Sequence, residues 1–277
     1  MTTVAISVVS TAELSRLEPC LRSLDAQDFD GSLEVVVVCN GPPDDSGRIA
    51  QTHPGASTIF NAHRKGFAEN HNHALAATSA EYGLILNPDV VLDTACIREL
   101  VAAMEAHPGA GMIGPLLRYP DGAAQQSARR FPRPLGTVVR RTPLRALAGS
   151  RLRQSRHFLP PPSSDRMVDW LLGACLMVRM SAWRSIGGFD PGFRPLYVED
   201  IDLAWRMWAA GWEVWQSPSA EAMHEHQAAT DKQFLDRRTL WHLRGMLRFV
   251  RKHPRILVSG ARPTFSQQTN RGAASPG

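Results

Sequence analysis

Two runs of mostly β-branched residues, Val4-Ala5-Ile6-Ser7-Val8-Val9 and Leu33 to Val38, decide the class of fold open to this chain. A strand covered by helices on both faces reads as a near-continuous apolar run, because neither face meets water. Between the runs, Leu14, Leu17, Leu21 and Leu24 recur at helical spacing. They follow Ser10-Thr11-Ala12-Glu13, which fits a capping box with serine at the N-cap. Pro19 marks either a kink or the true first turn of that helix. Ser57 to Phe60 reads as a third strand and Phe67 to Thr78 as a helix behind Gly66. Tyr82 to Leu86 is a fourth strand running straight into Asn87-Pro88-Asp89. Strands alternating with helices predict a parallel sheet with right-handed crossovers. Ligands of such sheets bind beyond the carboxyl ends of the strands. Those ends carry Ser10-Thr11, Cys39-Asn40 and Asn87-Pro88-Asp89, and they converge on one rim.

The second half repeats the order less regularly. Val168 to Val178 reads as a buried strand with a small-residue step at Gly173-Ala174, and Ser181 to Ile186 as a short helix closed by Gly187-Gly188. Asp200 to Ala210 is predicted helical and stopped by Gly211, Trp212 to Trp215 is a short strand, and Leu235 to Lys252 is a long amphipathic helix. Residues 128–162 differ from all of this: they hold nine arginines, no lysine and no acidic residue. That segment is either a solvated basic loop or a surface for the phosphates of an acceptor or a lipid. The expected organisation is one α/β domain over 1–258, with a nucleotide-binding half at 1–95 and an acceptor and catalytic half at 165–258. Residues 259–277, rich in Gly, Ser and Pro, are expected to be a disordered tail.

A formal charge of +5 favours acidic partners: nucleotides, phosphates or an anionic membrane surface. The aromatics are not spaced as a base-stacking platform, so nucleic acid is not an expected partner. Cys20, Cys39, Cys96 and Cys175 form no CxxC pair and read as reduced thiols. No signal core and no run of about 18 apolar residues is present. The expected location is cytoplasmic, with peripheral contact on the inner face of the plasma membrane through 128–162.

Three stretches carry the candidate chemistry. Asn87-Pro88-Asp89 is a rigid turn at a strand end, because Pro88 fixes its own φ and holds Asn87 extended. Such a turn is common as mere structure, but it can also hold a carboxylate where a divalent ion bridges two phosphates. Glu199, Asp200 and Asp202 crowd into the first turn of a helix, where the dipole favours negative charge and helps keep Asp200 ionised. Capping accounts for one or two of them. A general base must be ionised at working pH, and the third carboxylate can instead pair internally, Asp202 with Arg206 one turn on. His224 and His226 alternate in an extended segment and so share a face, which makes one of them a candidate second ligand for a metal at Asp89.

In this order, these pieces resemble the family 2 glycosyltransferases, and more narrowly their rhamnosyltransferase-like branch. The resemblance rests on the opening strand Ala5 to Val9, Val35 to Asn40, and Gly66-Phe67-Ala68-Glu69-Asn70-His71-Asn72. It continues through Leu86-Asn87-Pro88-Asp89, Gly173 to Arg179, Gly187-Gly188-Phe189-Asp190 and Glu199-Asp200-Ile201-Asp202-Leu203. It implies a GT-A fold, a single Rossmann-like domain with a mainly parallel central sheet flanked by helices. It also implies a nucleotide-sugar donor, a glycan or lipid-linked acceptor, and inversion at the anomeric carbon, with dTDP-rhamnose as one donor. By motif, Asp200 is the base, and Asp89 with His224 holds Mg²⁺ or Mn²⁺. Ser10, Asn40, Gly66, Asn72 and Asn87 line the donor, while Trp170, Gly173, Ala174 and Glu199 line the acceptor. The chain departs from the pattern at Cys39 and Asn87, where many relatives carry aspartate. Two alternatives stay open at this point: a nucleotidyltransferase that makes nucleotide sugars, and a glycosyltransferase-like binding module without activity.

Overall fold

The computed structural model describes residues 1–11, 14–41, 53, 55–132, 158–225, 237–259 and 262–263. Glu13 of the expected capping box, residues 133–157 of the basic segment, His226 and the tail from 264 lie outside the described residues.

The first half is β1 (Thr3–Ser10), α1 (Leu14–Asp25), β2 (Ser32–Cys39), β3 (Ser57–Phe60), α2 (Phe67–Leu75), β4 (Tyr82–Leu86) and β5 (Val90–Leu92). Then come α3 (Cys96–Ala106), β6 (Ala110–Arg118), β7 (Ala128–Arg129), β8 (Arg166–Met167), β9 (Trp170–Leu171) and β10 (Cys175–Arg179). The chain continues with α4 (Met180–Ile186), α5 (Glu199–Ala209), β11 (Glu213–His224), α6 (Arg237–Lys252) and α7 (Ile256–Ser259). Eight strands pair in the order β3-β2-β1-β4-β10-β6-β11-β5, with β8 on the side of β11. The β7–β9 ribbon stands apart.

β1, β2, β3 and β4 are mutually parallel, as the apolar runs predict. β10 is inserted antiparallel between β4 and β6, and β11 returns parallel to β6. Alternation along β1 feeds two cores. Val4, Ile6 and Val8 join Leu17, Leu21 and Leu24 of α1 and Ile97, Leu100 and Met104 of α3. Ala5 faces the opposite core, built from Ala68 of α2, Trp183 of α4, Leu203 of α5 and Phe249 of α6. Each sheet face is therefore closed by helices, which is why its central strands tolerate no polar alternation.

Several local expectations change. Ser10 closes β1 and does not cap the helix, which starts at Leu14 with Pro19 inside it. The predicted strand over Val168 to Val178 is broken, because the chain turns at Gly173-Ala174 before entering the sheet as β10. The predicted strand at Trp212 to Trp215 is the start of a 12-residue strand that carries through Pro218 to His224. A register shift between Ser217 and Glu221 accommodates the proline.

Candidate active site

The topology brings the acidic stretches together. β10 runs antiparallel to β4, so its first residue, Cys175, sits opposite Leu86, the last residue of β4. Residues 173–174 therefore lie beside 87, and the Asn87 N–H donates to Ala174 O at 2.8 Å. The neighbouring Gly173 N–H donates to Asp200 Oδ2 at 3.2 Å. A bonded path thus leads from Asp89 through Asn87, Ala174 and Gly173 to Asp200, along one edge of the sheet. A Cβ on Gly173 would lie 3.5 Å from Asp200 Cβ and 3.7 Å from the Phe67 ring, so these three residues meet at one point.

At one end of this path, β11 delivers His224 to Asp89. Val90 pairs with His224 across β5 and β11, and the Glu225 N–H donates to Asp89 O at 2.9 Å. Asp89 Oδ1 is buried, lies 3.5 Å from His224 Nε2 and has no hydrogen bond. That separation is long for a hydrogen bond. The other ring nitrogen of His224 contacts Gln125 Oε1 at 2.8 Å, which fixes the imidazole plane. Burial pushes the Asp89 carboxyl up, but His224 and then Arg16 outweigh it, so the group stays ionised. Among the described residues, no cluster of three or more His, Cys, Asp or Glu side chains can hold a metal unaided. One ionised carboxylate with an orphaned buried oxygen, plus one braced imidazole, fits a hard divalent cation that takes its other ligands from a diphosphate and water.

At the other end, Tyr197 and Val198 hold φ of 83° and 77°, immediately before α5. Left-handed backbone at a β-branched residue is costly, of order 1–3 kcal/mol, and persists only where packing enforces it. Here α6 enforces it. Gly245 is without a side chain where a Cβ would stand 2.9 Å from Tyr197 O and from the Val198 side chain. This corner aims Glu199 and Asp200 at the rim. Asp200 accepts N–H bonds from Gly173 and from Ile201 (2.8 Å). Burial raises its pKa, partly offset by Arg129 and by those two N–H groups. Glu199 is buried with Oε2 unpartnered, and burial and then the Asp200 charge push it up to about 8. Two adjacent buried carboxyls do not both ionise. The proton rests on Glu199, which has no cation to match the Arg129 that faces Asp200, and Asp200 remains the anion. The dipole argument from sequence is therefore incomplete: burial works against ionisation, and Arg129 counters it.

Asp202 is structural. Arg206 Nε (2.6 Å), Lys252 Nζ (2.9 Å) and His253 Nε2 (2.8 Å) surround its fully buried carboxylate and tie α5 to the end of α6. The pairing with Arg206 is the one that the spacing predicts.

The expected donor residues divide into two groups. Ser10 ends β1 with its hydroxyl buried and unpartnered, and Gly66 caps α2 where Pro195 O passes close by. Asn87 contributes its main chain to the rim. Asn40 and Asn72, in contrast, have their amides engaged internally. Asn40 bonds both the N–H (2.8 Å) and the C=O (3.0 Å) of Lys65 and also accepts from Asn61. Asn72 bonds both the C=O (2.8 Å) and the N–H (2.9 Å) of Phe189. Both amides thus hold the loops beside the rim. Trp170 is buried, with its indole N–H on Arg130 O. The Arg129 guanidinium lies 4.9 Å from the Trp170 ring and 4.9 Å from the Phe158 ring. Gly173 and Ala174 stand on the rim, bonded to Asp200 and Asn87. Sequence reasoning missed Arg129 and Gln125. Arg129 was hidden among nine arginines, and Gln125 shows no spacing signal at all.

Comparison with known proteins gives the family and the fold. The profile described as glycosyl transferase family 2 matches residues 6–162. The chain is 33% identical over 220 residues to N-acetylglucosaminyl-diphospho-decaprenol L-rhamnosyltransferase of Mycobacterium tuberculosis, covering 72% of this chain and 69% of that one. It is 27% identical over 259 residues to rhamnosyltransferase WbbL of Escherichia coli, covering 89% and 92%. The fold is shared with GalNAc-T7, solved with UDP, GalNAc and Mn²⁺ (TM-score 0.65, 14% identity, 91% of this chain and 48% of that one). It is shared also with the mannosyltransferase PcManGT of Pyrobaculum calidifontis in complex with GDP-Man and Mn²⁺ (TM-score 0.57, 19% identity, 90% and 64%). The architecture is the GT-A fold, with a mostly parallel sheet between helices. The chain belongs to glycosyl transferase family 2, in its rhamnosyltransferase-like branch.

Proposed function

We propose that this glycosyltransferase moves a deoxyhexose, rhamnose from dTDP-rhamnose, to a hydroxyl of a lipid-linked glycan with inversion at the anomeric carbon. The observation that carries this reading is the bonded path from Asp89 to Asp200 along one edge, which supports a diphosphate-side role for the first carboxylate and an acceptor-side role for the second. The named activities of the relatives, rhamnosyl transfer and a decaprenyl-diphosphate acceptor, support the choice of sugar and acceptor.

Asp200, ionised between two N–H donors, takes the proton of the acceptor hydroxyl. The freed oxygen attacks the anomeric carbon from that side. The bond from this carbon to the diphosphate breaks on the opposite side, and the nucleoside diphosphate leaves with the electron pair. Positive charge on the sugar ring in the transition state resembles that in glycoside hydrolysis. Glu199, protonated at neutral pH, adds no second negative charge beside the base. Asp89 and His224 would hold Mg²⁺ or Mn²⁺. When bound, that ion neutralises charge growing on the leaving diphosphate. Ser10 and the main chain of Asn87 border the donor, and Gly173 and Ala174 border the acceptor.

The test is nucleotide release from a panel of nucleotide sugars, with and without a prenyl-diphosphate-linked acceptor, followed by NMR of the product's anomeric proton. Release that is fastest with dTDP-rhamnose, with inverted configuration in the product, supports the proposal. A retained configuration, or no release from any nucleotide sugar, overturns it.

A further inference from the structure

The outward face of α6 is unlike an ordinary solvated helix. Leu240, Leu243 and Leu247 follow the i, i+3, i+7 spacing of one stripe and are 61%, 45% and 51% exposed. Leu257, just beyond the helix, is 56% exposed. The opposite face is conventional, with Met246 and Phe249 buried in the core. Beside the leucines, on the same outward side, stand the exposed Arg244 and Arg251. Neither has an ion-pair partner among the described residues, whereas Arg248, one turn beyond Arg244, and Lys252, next to Arg251, are held by Asp190. From residue 237 to residue 277 the sequence contains no acidic residue. Leucines flanked by uncompensated cations, lying along the surface, are the composition of a helix that rests in the headgroup layer of an anionic bilayer.

We infer that α6 docks this protein on an anionic membrane surface, with Leu240, Leu243 and Leu247 in the acyl boundary and Arg244 and Arg251 among the headgroup phosphates. A second copy of the chain fits this face poorly, because a two-fold contact would bring the same arginines, Arg244 and Arg251, against one another. The chain's own residues 264–277 offer one large apolar residue, Phe265, against four exposed leucines.

The docked geometry has a bearing on the active site. The inner face of α6, at Gly245, touches Tyr197 and Val198, which aim Glu199 and Asp200. A helix with its side chains is about 10 Å across, so the base sits roughly one helix diameter above the bilayer surface. A prenyl-anchored acceptor presents its hydroxyl in that layer. Lipid binding by this face stands whether or not the sugar and acceptor proposed above are correct.

The experiment is co-sedimentation of the full chain with vesicles of phosphatidylglycerol and phosphatidylcholine, and with vesicles of phosphatidylcholine alone. The wild-type protein should bind the anionic vesicles. The combined variant Leu240→Ser, Leu243→Ser, Leu247→Ser should lose about tenfold or more of that binding. Arg244→Gln with Arg251→Gln should erase the preference for phosphatidylglycerol. Thermal unfolding and hydrolysis of soluble nucleotide sugar should match wild type in both variants, since every changed side chain points to solvent. The inference is overturned if wild-type protein stays in the supernatant, or if the leucine variant sediments as well as wild type. It is also overturned if light scattering shows a wild-type dimer that the leucine variant converts to a monomer with no change in vesicle binding.

Discussion

Asp200→Asn isolates the step assigned to the base, because the side chain keeps its size and loses only its capacity to take a proton. The carboxylate now accepts Gly173 N–H at one oxygen (3.2 Å) and Ile201 N–H at the other (2.8 Å). An amide offers a single oxygen, so one of those N–H groups must face an NH₂. A buried donor left unsatisfied costs about 1–3 kcal/mol of folding stability. That lowers Tm by about 2–4 °C per kcal/mol in a chain of this size. Loss of the general base costs about 10²–10⁴ in kcat, roughly 3–5 kcal/mol of barrier. The two losses separate experimentally: urea unfolding reads the first, turnover the second, and calorimetric titration of nucleoside diphosphate reads donor affinity, which should not move. Glu199 supplies an internal control. Its folded pKa, about 8, lies above its unfolded value, so the stability it contributes is full in acid and declines as pH rises through about 8. With the neighbouring charge gone that pKa falls, and the stability gap between pH 5 and pH 9 should shrink. A kcat within tenfold of wild type, or a donor Kd weakened as much as kcat, would refute Asp200 as the base.

Asp89→Ala should weaken nucleoside diphosphate binding about tenfold in Mn²⁺ and leave it unchanged in chelator; equal loss in both would count against a metal role. Arg129→Met should move the acidic limb of the kcat profile to higher pH, since the guanidinium is the cation that opposes the burial of Asp200, and Arg129→Lys should restore part of it. Asp202→Asn should cost about 3–5 kcal/mol by urea unfolding at pH 7, because Arg206, Lys252 and His253 lose a shared buried anion. Burial raises the Asp202 pKa, but His253, Arg206 and Lys252 outweigh it, so its contribution exists above the unfolded value of about 3.9 and is lost as pH falls through the lower folded value. The acid limb of the stability curve should therefore flatten in this variant. Asn72→Ala should lose about 1–3 kcal/mol of stability by orphaning both main-chain groups of Phe189, with donor Kd unchanged.

The parallel half of the sheet was legible because β1, β2 and β4 are covered on both sides, so their apolar runs speak for themselves. β5, α3 and β6 were not read out, although β6 is buried almost along its whole length. Gly111, Gly114 and Pro115 interrupt its pattern, and those glycines are there because Trp212 and Leu171 press on them. The break at Gly173-Ala174 was visible only as a small-residue step. Its meaning depends on β10 entering antiparallel, a non-local pairing that no window of sequence contains. The acidic residues stood out as candidates because carboxylates at strand ends and helix starts are rare enough to notice. The partners of the amides were not legible: nothing in the local sequence of Asn40 and Asn72 shows that Lys65 and the Phe189 main chain, 25 and 117 residues away, hold them.

The wrong-handed backbone at Tyr197 and Val198 works like a bent spring whose catch lies some fifty positions downstream, on Gly245. Trimming the chain ahead of Arg237 would keep every candidate catalytic and metal-binding side chain yet let that bend relax to ordinary φ, turning Asp200 away from Gly173. The smallest portable catalyst cut from this sequence therefore ends no earlier than Lys252, far beyond residue 162 where the family profile stops.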